Sequence, residues 1–226
     1  MSRNQLYILG AVIVVIAVAV VAYLWFAQPS ETPSLTTVIG TGRASMRVLP
    51  DDRTMGSPNA PVIVLEFGAP SCPVCARFNE DAMPLLKAQY IDTGKVFYIF
   101  RVFPINGSVD GAAEGIARCL PVEAYFPFID QLFRSQKDWD PEYGITDVHG
   151  ALQAQARIAG MPPDKADACM ADKANADRTN RNAQDAVTRY QITGTPTLII
   201  NGSVQPAGNI PWPTLKATLD AFLAKK

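Results

Sequence analysis

Two cysteines, at positions 72 and 75, form the sequence pattern with the clearest chemistry. Cys72 and Cys75 are separated by Pro73 and Val74, and they follow a continuous apolar run and open a helical pattern. Backbone N–H groups and the dipole at a helix start stabilise a thiolate, so we predict that Cys72 is the exposed nucleophile and Cys75 the buried resolving thiol. Proline fits the first turn of a helix, where its missing N–H costs nothing. The pattern predicts redox chemistry.

Two alternatives apply to this pair. A zinc site would need a second close pair of ligands, but Cys119 and Cys169 stand alone in the sequence, and the single histidine, His149, is near neither. A structural disulfide rarely closes so short a loop at a helix start. We therefore expect no metal site and no bound cofactor, and we expect His149 to be a surface residue.

A single acid, Glu66, lies in the otherwise apolar run of residues 62–67, six residues before Cys72. Burial of a carboxylate is costly, so its presence calls for a reason. The functional hypothesis is that Glu66 accepts and donates a proton for Cys75, with its own pKa raised by desolvation. The alternative is an acid at a strand end that simply reaches water.

The elements that must position these residues alternate between strand and helix. Residues 62–67 and 96–103 are continuous runs of β-branched and aromatic residues, and the helical pattern that starts at Cys72 lies between them. Strand, helix and strand within about 40 residues predict a βαβ unit with parallel strands. A further short strand is predicted near residues 45–49.

The second half of the chain changes character. Residues 110–190 show Ala-rich helical spacing with several breaks, which predicts four or five helices. Asn201-Gly202 is a strong hairpin signal, so residues 197–200 are expected to pair antiparallel with residues 203–205.

The N-terminal segment is far more apolar than the rest. Residues 6–27 are apolar except for Gly10, and Arg3 is the only charged residue before Glu31. About 22 residues at 1.5 Å each reach roughly 33 Å, enough to cross the hydrocarbon core of a bilayer. We predict an uncleaved transmembrane anchor over residues 1–27, with the remainder exported. A cleaved signal peptide is the alternative, because small residues suited to cleavage occur within the run.

Composition excludes several functional classes. The net charge is −1, from 20 Lys and Arg against 21 Asp and Glu, and no basic cluster is present, which argues against nucleic acid as a partner. One histidine excludes polyhistidine metal sites and argues against a Cys-His protease. The charged fraction of 18% is low against about 25% in soluble proteins, and the apolar N-terminal segment accounts for part of the difference.

Three stretches of the sequence carry a family resemblance. They are Val64-Leu65-Glu66-Phe67, Ser71-Cys72-Pro73-Val74-Cys75 and Gly194-Thr195-Pro196-Thr197-Leu198-Ile199-Ile200-Asn201-Gly202. Together they resemble the DsbA-like thiol-disulfide oxidoreductases of the thioredoxin superfamily, and the resemblance extends from about residue 56 to the C-terminus.

The resemblance implies an α/β fold: a thioredoxin fold with an inserted helical domain, here preceded by an N-terminal transmembrane helix. The expected domains are the anchor or signal peptide, the linker, the two parts of the thioredoxin-like domain and the helical insertion. Their boundaries are, in that order, 1–27, 28–56, 57–109 with 191–226, and 110–190.

The resemblance also implies a cis peptide bond between Thr195 and Pro196, packed against the active-site disulfide. The backbone of Thr195 would then help the substrate chain to dock as an extra strand, beside Pro73 and Val74. The alternative is a trans proline at a strand start. The most oxidising members have histidine where this chain has Val74, so we expect a reduction potential between about −270 mV for thioredoxin and about −120 mV for DsbA.

Many relatives of this type have two further cysteines that join the helical insertion, and the resemblance implies the same disulfide between Cys119 and Cys169. The alternative is two buried free thiols that act as small apolar side chains.

The function implied by the resemblance is that of an extracytoplasmic protein thiol-disulfide oxidoreductase, a DsbA-like oxidase that introduces disulfides into exported proteins. Its partners would be exported proteins with free thiols, the membrane, and a DsbB-like, quinone-linked thiol oxidase as electron acceptor. The expected location is the bacterial inner membrane with the catalytic domain in the periplasm, or the periplasm itself if the N-terminus is cleaved. The alternatives are a membrane-tethered reductase or isomerase, and a metal-handling or chaperone binding module.

Overall fold

The computed structural model describes residues 46–225 of the 226-residue chain. The predicted anchor, residues 1–27, and most of the predicted linker, residues 28–56, lie outside the described residues. Within residues 46–225, no helix combines the length and the apolar character needed to span a membrane.

A mixed five-stranded sheet is the centre of the fold, in the order β1-β3-β2-β4-β5. The strands are β1 Arg53–Met55, β2 Val62–Gly68, β3 Val96–Val102, β4 Thr197–Ile200 and β5 Ser203–Val204. Strands β2 and β3 are parallel, as the predicted βαβ unit requires, and the other three pairs are antiparallel. The predicted hairpin between β4 and β5 is confirmed.

Nine α-helices surround the described sheet. They are α1 Pro73–Asp81, α2 Met83–Leu86, α3 Gly107–Cys119, α4 Tyr125–Arg134, α5 Gln136–Trp139, α6 Val148–Ile158, α7 Pro163–Met170, α8 Lys173–Tyr190 and α9 Trp212–Ala224. A π-helical turn, Lys87–Ile91, continues α2, and 3-10 turns lie at Val122–Ala124 and Pro141–Tyr143. Six helices lie between positions 107 and 190, against the four or five predicted. The unpredicted break separates α4 from α5 at Ser135, whose backbone, with a φ of −111°, leaves the helical conformation.

The two faces of the sheet pack against different helices, because alternate side chains of each strand point to opposite faces. Even-numbered residues of β2 and β3, such as Val64 and Tyr98, pack in the larger core with α1, α9 and most of the helices of residues 107–170. Odd-numbered residues such as Leu65 pack with Ala186 and Tyr190 of α8. Thus the last helix of the range assigned to the insertion also covers the second face of the sheet.

The strand predicted near residues 45–49 was wrong for the residues described there: 46–49 form no strand. Met46 is buried, and Met46 and Val48 pack against the second core as irregular backbone. The strand lies four residues later, at Arg53–Met55, where it pairs with β3. It falls within the range expected to be linker.

Candidate active site

The cysteine pair lies at the start of α1, which follows β2 in the chain. Cys72 is the N-cap residue of α1, with Pro73 in the first helical position, and its Sγ accepts a hydrogen bond from the backbone N–H of Cys75 at 3.3 Å. Cys72 Sγ also donates to the carbonyl of Thr195 at 3.5 Å. The sulfur therefore takes the place that a Ser or Asp oxygen occupies in an ordinary N-cap.

This environment lowers the pKa of Cys72 from 9.0 to about 6. The largest cause is the hydrogen bond from the Cys75 side chain, and the Thr195 side chain and the backbone N–H groups of Cys75 and Val74 add to it, while burial opposes it. At neutral pH the Cys72 side chain is thus mainly a thiolate, the form that attacks disulfides.

Cys75 has the opposite character. Cys75 is 0% exposed, and no disulfide joins it to Cys72 in the structure. The prediction that Cys72 is exposed was wrong: Cys72 is also buried, at 3%, because its sulfur lies against the first turn of α1 and the carbonyl of Thr195. Burial, followed by the hydrogen bond to Cys72 and the negative charges of Cys72 and Glu66, raises the pKa of Cys75 well above 9.0. Cys75 therefore stays protonated when Cys72 is a thiolate. This difference suits Cys72 as the nucleophile and Cys75 as the resolving thiol.

Glu66 is buried in the middle of β2, with 2% of its surface exposed, on the same sheet face as the residues that pack around Cys75. Its Oε2 accepts a hydrogen bond from the Tyr98 hydroxyl at 2.7 Å. Burial raises the pKa of Glu66 from 4.5 to about 7, and the Cys72 charge adds to the rise while the Tyr98 hydrogen bond opposes it. The structure thus buries the Glu66 carboxyl, which gains or loses a proton near neutral pH.

Gly68 leaves room for this carboxyl. A Cβ at position 68 would lie 3.0 Å from Glu66 Oε1 and 2.8 Å from the ring of Phe100. Because residues 66 and 68 share one face of β2, any larger side chain at 68 would displace the Glu66 carboxyl. The sequence pattern contained no signal for this role.

The loop before β4 completes the site opposite the cysteines. The Thr195–Pro196 peptide bond is cis, and Thr197 pairs with Phe67 at the end of β2. This pairing brings the carbonyl of Thr195 to Cys72 Sγ. The structure therefore brings together Cys72, Cys75, Glu66 and the 195–196 loop, with Pro73 and Val74 in the first turn of α1.

Two further side chains hold the loop that precedes α1. Asp110 of α3 accepts a hydrogen bond from the backbone N–H of Ser71 at 2.9 Å. Gln136 of α5 donates from Nε2 to the carbonyls of Pro70 and Cys72, at 2.8 and 3.0 Å. Sequence reasoning missed both, because their partners are 39 to 66 positions away and nothing in the local pattern marks them.

The second cysteine pair lies away from this site. A disulfide joins Cys119 at the end of α3 to Cys169 in α7. His149 is exposed on α6, beside Asp167. Within residues 46–225, no cluster of three or more His, Cys, Asp or Glu side chains is placed to hold a metal ion.

Comparison with known proteins gives consistent matches. A family model described as Thioredoxin matches residues 49–221. A Rickettsia bellii protein that carries the name of a protein-disulfide oxidoreductase is 26% identical over 165 residues, covering 73% of this chain and 62% of that relative. The chain therefore spans less than two thirds of the length of that relative. Disulfide bond formation protein D of Bacillus subtilis is 26% identical over 171 residues, covering 73% of this chain and 72% of that protein.

A solved structure supports the same assignment. The crystal structure of Wolbachia pipientis alpha-DsbA1 superposes with a TM-score of 0.73 at 28% identity, over 82% of this chain and 97% of that one. The family match covers well over half of the chain and contains all the residues of the site. The chain therefore belongs to the thioredoxin family, and within it to the DsbA-like thiol-disulfide oxidoreductases.

Proposed function

We propose that this protein is a disulfide oxidase, which transfers the Cys72–Cys75 disulfide to pairs of thiols in exported proteins. The observation that carries the proposal is the set of hydrogen bonds that Cys72 Sγ accepts at the start of α1, from the backbone N–H of Cys75 and from the other donors around it, which lowers the pKa of that thiol to about 6. A stabilised thiolate favours the reduced form of the pair, and a pair whose reduced form is stabilised is an oxidant.

The reaction follows from the two different cysteines. A substrate thiolate attacks Cys72 Sγ, the Cys72–Cys75 bond breaks, and its electron pair goes to Cys75 Sγ, which takes a proton from the Glu66 carboxyl. A second substrate thiolate then attacks the substrate sulfur of the mixed disulfide. The substrate leaves with its new disulfide, Cys72 leaves as a thiolate, and the pair has gained the two electrons.

Substrate binding is proposed on the side of the 195–196 loop. The cis peptide bond and the contact of the Thr195 carbonyl with Cys72 Sγ leave this loop beside the reacting sulfur. An extended substrate segment would pair with the backbone of Thr195 and pass Pro73 and Val74.

The cellular setting is also part of the proposal. We propose residues 1–27 as a membrane anchor or signal peptide, 28–56 as a linker, 57–109 with 191–226 as the thioredoxin-like domain and 110–190 as its insertion. The catalytic domain would face the periplasm of a bacterium, with a DsbB-like, quinone-linked oxidase as electron acceptor. The apolar composition of the first 27 residues supports this setting, and anchoring would raise the effective concentration near such a partner.

Trapping of mixed disulfides tests the catalytic proposal. Cys75→Ala leaves Cys72 without a resolving thiol, so it should accumulate covalent complexes with exported proteins that dithiothreitol releases. Cys72→Ala is the matched control, which removes the nucleophile and should trap none. Absence of complexes with Cys75→Ala would contradict the proposal.

The direction of electron flow needs a second measurement. We expect equilibration with glutathione to give a reduction potential between about −270 and about −120 mV. A second candidate function, that of a reductase or isomerase, is favoured by one observation: Val74 supplies neither charge nor side-chain hydrogen bond to the thiolate. A potential at or below about −270 mV, with the pair found reduced in cells, would favour that function instead.

A further inference from the structure

A mainly apolar pocket of about 320 Å³ opens on the helical side of the sheet, between α1, α2 and α4. Its surface end is lined by the exposed residues Lys87 and Pro127 and by the partly exposed Asp130. Its floor is the even-numbered face of β2 and β3, where Glu66 and Tyr98 are each 2% exposed. The pocket therefore runs from the surface to two buried residues, Glu66 and Tyr98.

The pocket is separate from the sulfur side of the site. Neither cysteine of the redox pair lines it, and neither Thr195 nor Pro196 does. Glu66 is thus the one residue of the proposed catalytic set that the pocket reaches. A substrate on the 195–196 loop would cover Cys72 and leave the pocket open.

We propose that this pocket is the route by which the Glu66 carboxyl exchanges its proton with solvent during turnover. The inference rests on the proposed function, in which Glu66 protonates the departing Cys75 thiolate. The carboxylate left behind is then reprotonated by a hydronium ion or a buffer acid that enters the pocket. The proton moves from that acid to Glu66, and no electrons move in this step.

The charged and titratable groups around the carboxyl are consistent with such a route. Cys72 and Cys75 of α1 act on Glu66 from the sulfur side, and both favour its protonated form when they carry negative charge. Tyr98 of β3 faces it across the pocket floor and donates the hydrogen bond that opposes this effect. Lys87 and Asp130 line the surface end of the pocket.

Tyr98 has a positioning role in this arrangement. Its hydroxyl is the only side-chain donor that the structure gives Glu66 within residues 46–225. By donating to Oε2 it directs the carboxyl and leaves Oε1, which lies over Gly68, as the second oxygen. In this proposal the pocket gives solvent access to Glu66, and Tyr98 holds the Glu66 carboxyl in position.

Chemical rescue tests the route. Glu66→Ala removes the proton donor and opens a space continuous with the pocket floor, so oxidation of a dithiol peptide at pH 6 should be about tenfold slower or more. Sodium acetate supplies a small carboxyl that can enter this space. We expect acetate, compared with chloride at equal ionic strength, to restore the rate saturably by about fivefold or more and to change the wild-type rate by less than about twofold.

Pocket-filling variants identify the route of entry. In the Glu66→Ala background, Met83→Trp fills the pocket from α2 and Pro127→Trp fills it from α4, and either should abolish the rescue. Leu85→Trp is the matched control, since Leu85 is 38% exposed on α2 and does not line the pocket, and rescue should persist. Thermal melts show whether each variant is folded. If Met83→Trp does not fold, Pro127→Trp still tests the route, because Pro127 is exposed.

Two results would overturn the route: no acetate effect on Glu66→Ala, or an equal effect with the pocket filled from either side. Failure of the oxidase function itself is distinguishable, because the wild-type protein would then not oxidise the peptide at all.

Discussion

At the scale of single residues, Glu66 and Cys72 have pKa values moved in opposite directions, and both changes serve a proton transfer near neutral pH. The thiol of Cys72 ionises at about 6 and the carboxyl of Glu66 at about 7, so the nucleophile is charged under conditions in which the carboxyl can still be protonated. The Cys72 shift stabilises the folded reduced protein as pH rises. The Glu66 shift destabilises it, because a raised pKa means that ionisation is harder in the folded state.

Replacement of Glu66 by glutamine should therefore stabilise the protein in a pH-dependent way. The pKa of about 7 in the folded protein exceeds the ordinary value of 4.5. The destabilisation caused by ionisation of Glu66 is therefore absent below pH 4.5, grows between pH 4.5 and 7, and is constant above pH 7. The advantage of Glu66→Gln in free energy of unfolding should rise across this window by on the order of 3 kcal/mol. Urea unfolding from pH 4 to 8 measures it. Glu80→Gln, at an exposed position of α1, is the control and should show no such rise.

Val74 determines how acidic Cys72 can become. The backbone N–H of Val74 already helps to lower the pKa of Cys72, but its side chain adds nothing polar. In Val74→His, a protonated imidazole should lower the midpoint of iodoacetamide reactivity from about 6 by about 1 pH unit and raise the reduction potential by about 30 mV. Val74→Ala should leave the midpoint in place. An unchanged midpoint in Val74→His would contradict this account of the difference from the most oxidising relatives.

At the scale of elements, helices outside the βαβ unit hold the active-site loop. Asp110 of α3 and Gln136 of α5 together bind the backbone of residues 70–72, and both side chains are buried. The helices that follow β3 are thus more than a cover for the sheet, because they fix the start of α1, where Cys72 receives its hydrogen bonds.

Removal of the Gln136 side chain should loosen this loop. Gln136→Ala leaves the carbonyl of Pro70 without that donor and weakens the support at Cys72, which should lower the free energy of unfolding by about 1–3 kcal/mol. Faster hydrogen exchange at residues 70–76 should accompany the loss. Gln184→Ala, at an exposed position of α8, should change neither quantity. A stability loss without faster exchange at the loop would show that Gln136 supports α5 alone.

At the scale of the whole molecule, sequence reasoning succeeded where local pattern and long-range position coincide. The run of residues 62–67 followed by Cys72 and Cys75 predicted a buried strand leading into a helix start, and both are present. It could not find Tyr98, since a tyrosine in an apolar strand has many uses and its partner Glu66 is 32 positions away. It also misplaced the first strand, because Arg53–Met55 has little strand pattern of its own and is ordered by pairing with β3.

The disulfide between Cys119 and Cys169 stabilises the folded protein as a whole. It joins α3 to α7 across 50 positions, at a place where the helices approach so closely that a Cβ on Gly115 would lie 2.4 Å from the Cys169 carbonyl oxygen. Closure of such a loop lowers the entropy of the unfolded chain by an amount equivalent to about 4 kcal/mol.

The double variant Cys119→Ala/Cys169→Ala should therefore lose about 4 kcal/mol of unfolding free energy in urea. The pH midpoint of the reaction of Cys72 with iodoacetamide should stay near 6, because neither Cys119 nor Cys169 takes part in the hydrogen bonds of Cys72. A loss below about 1 kcal/mol would mean that residual contacts between the α3 and α7 segments already restrain the unfolded chain without the bond. A shifted midpoint would mean that the disulfide reaches the active site through α3, whose Asp110 binds the backbone of Ser71.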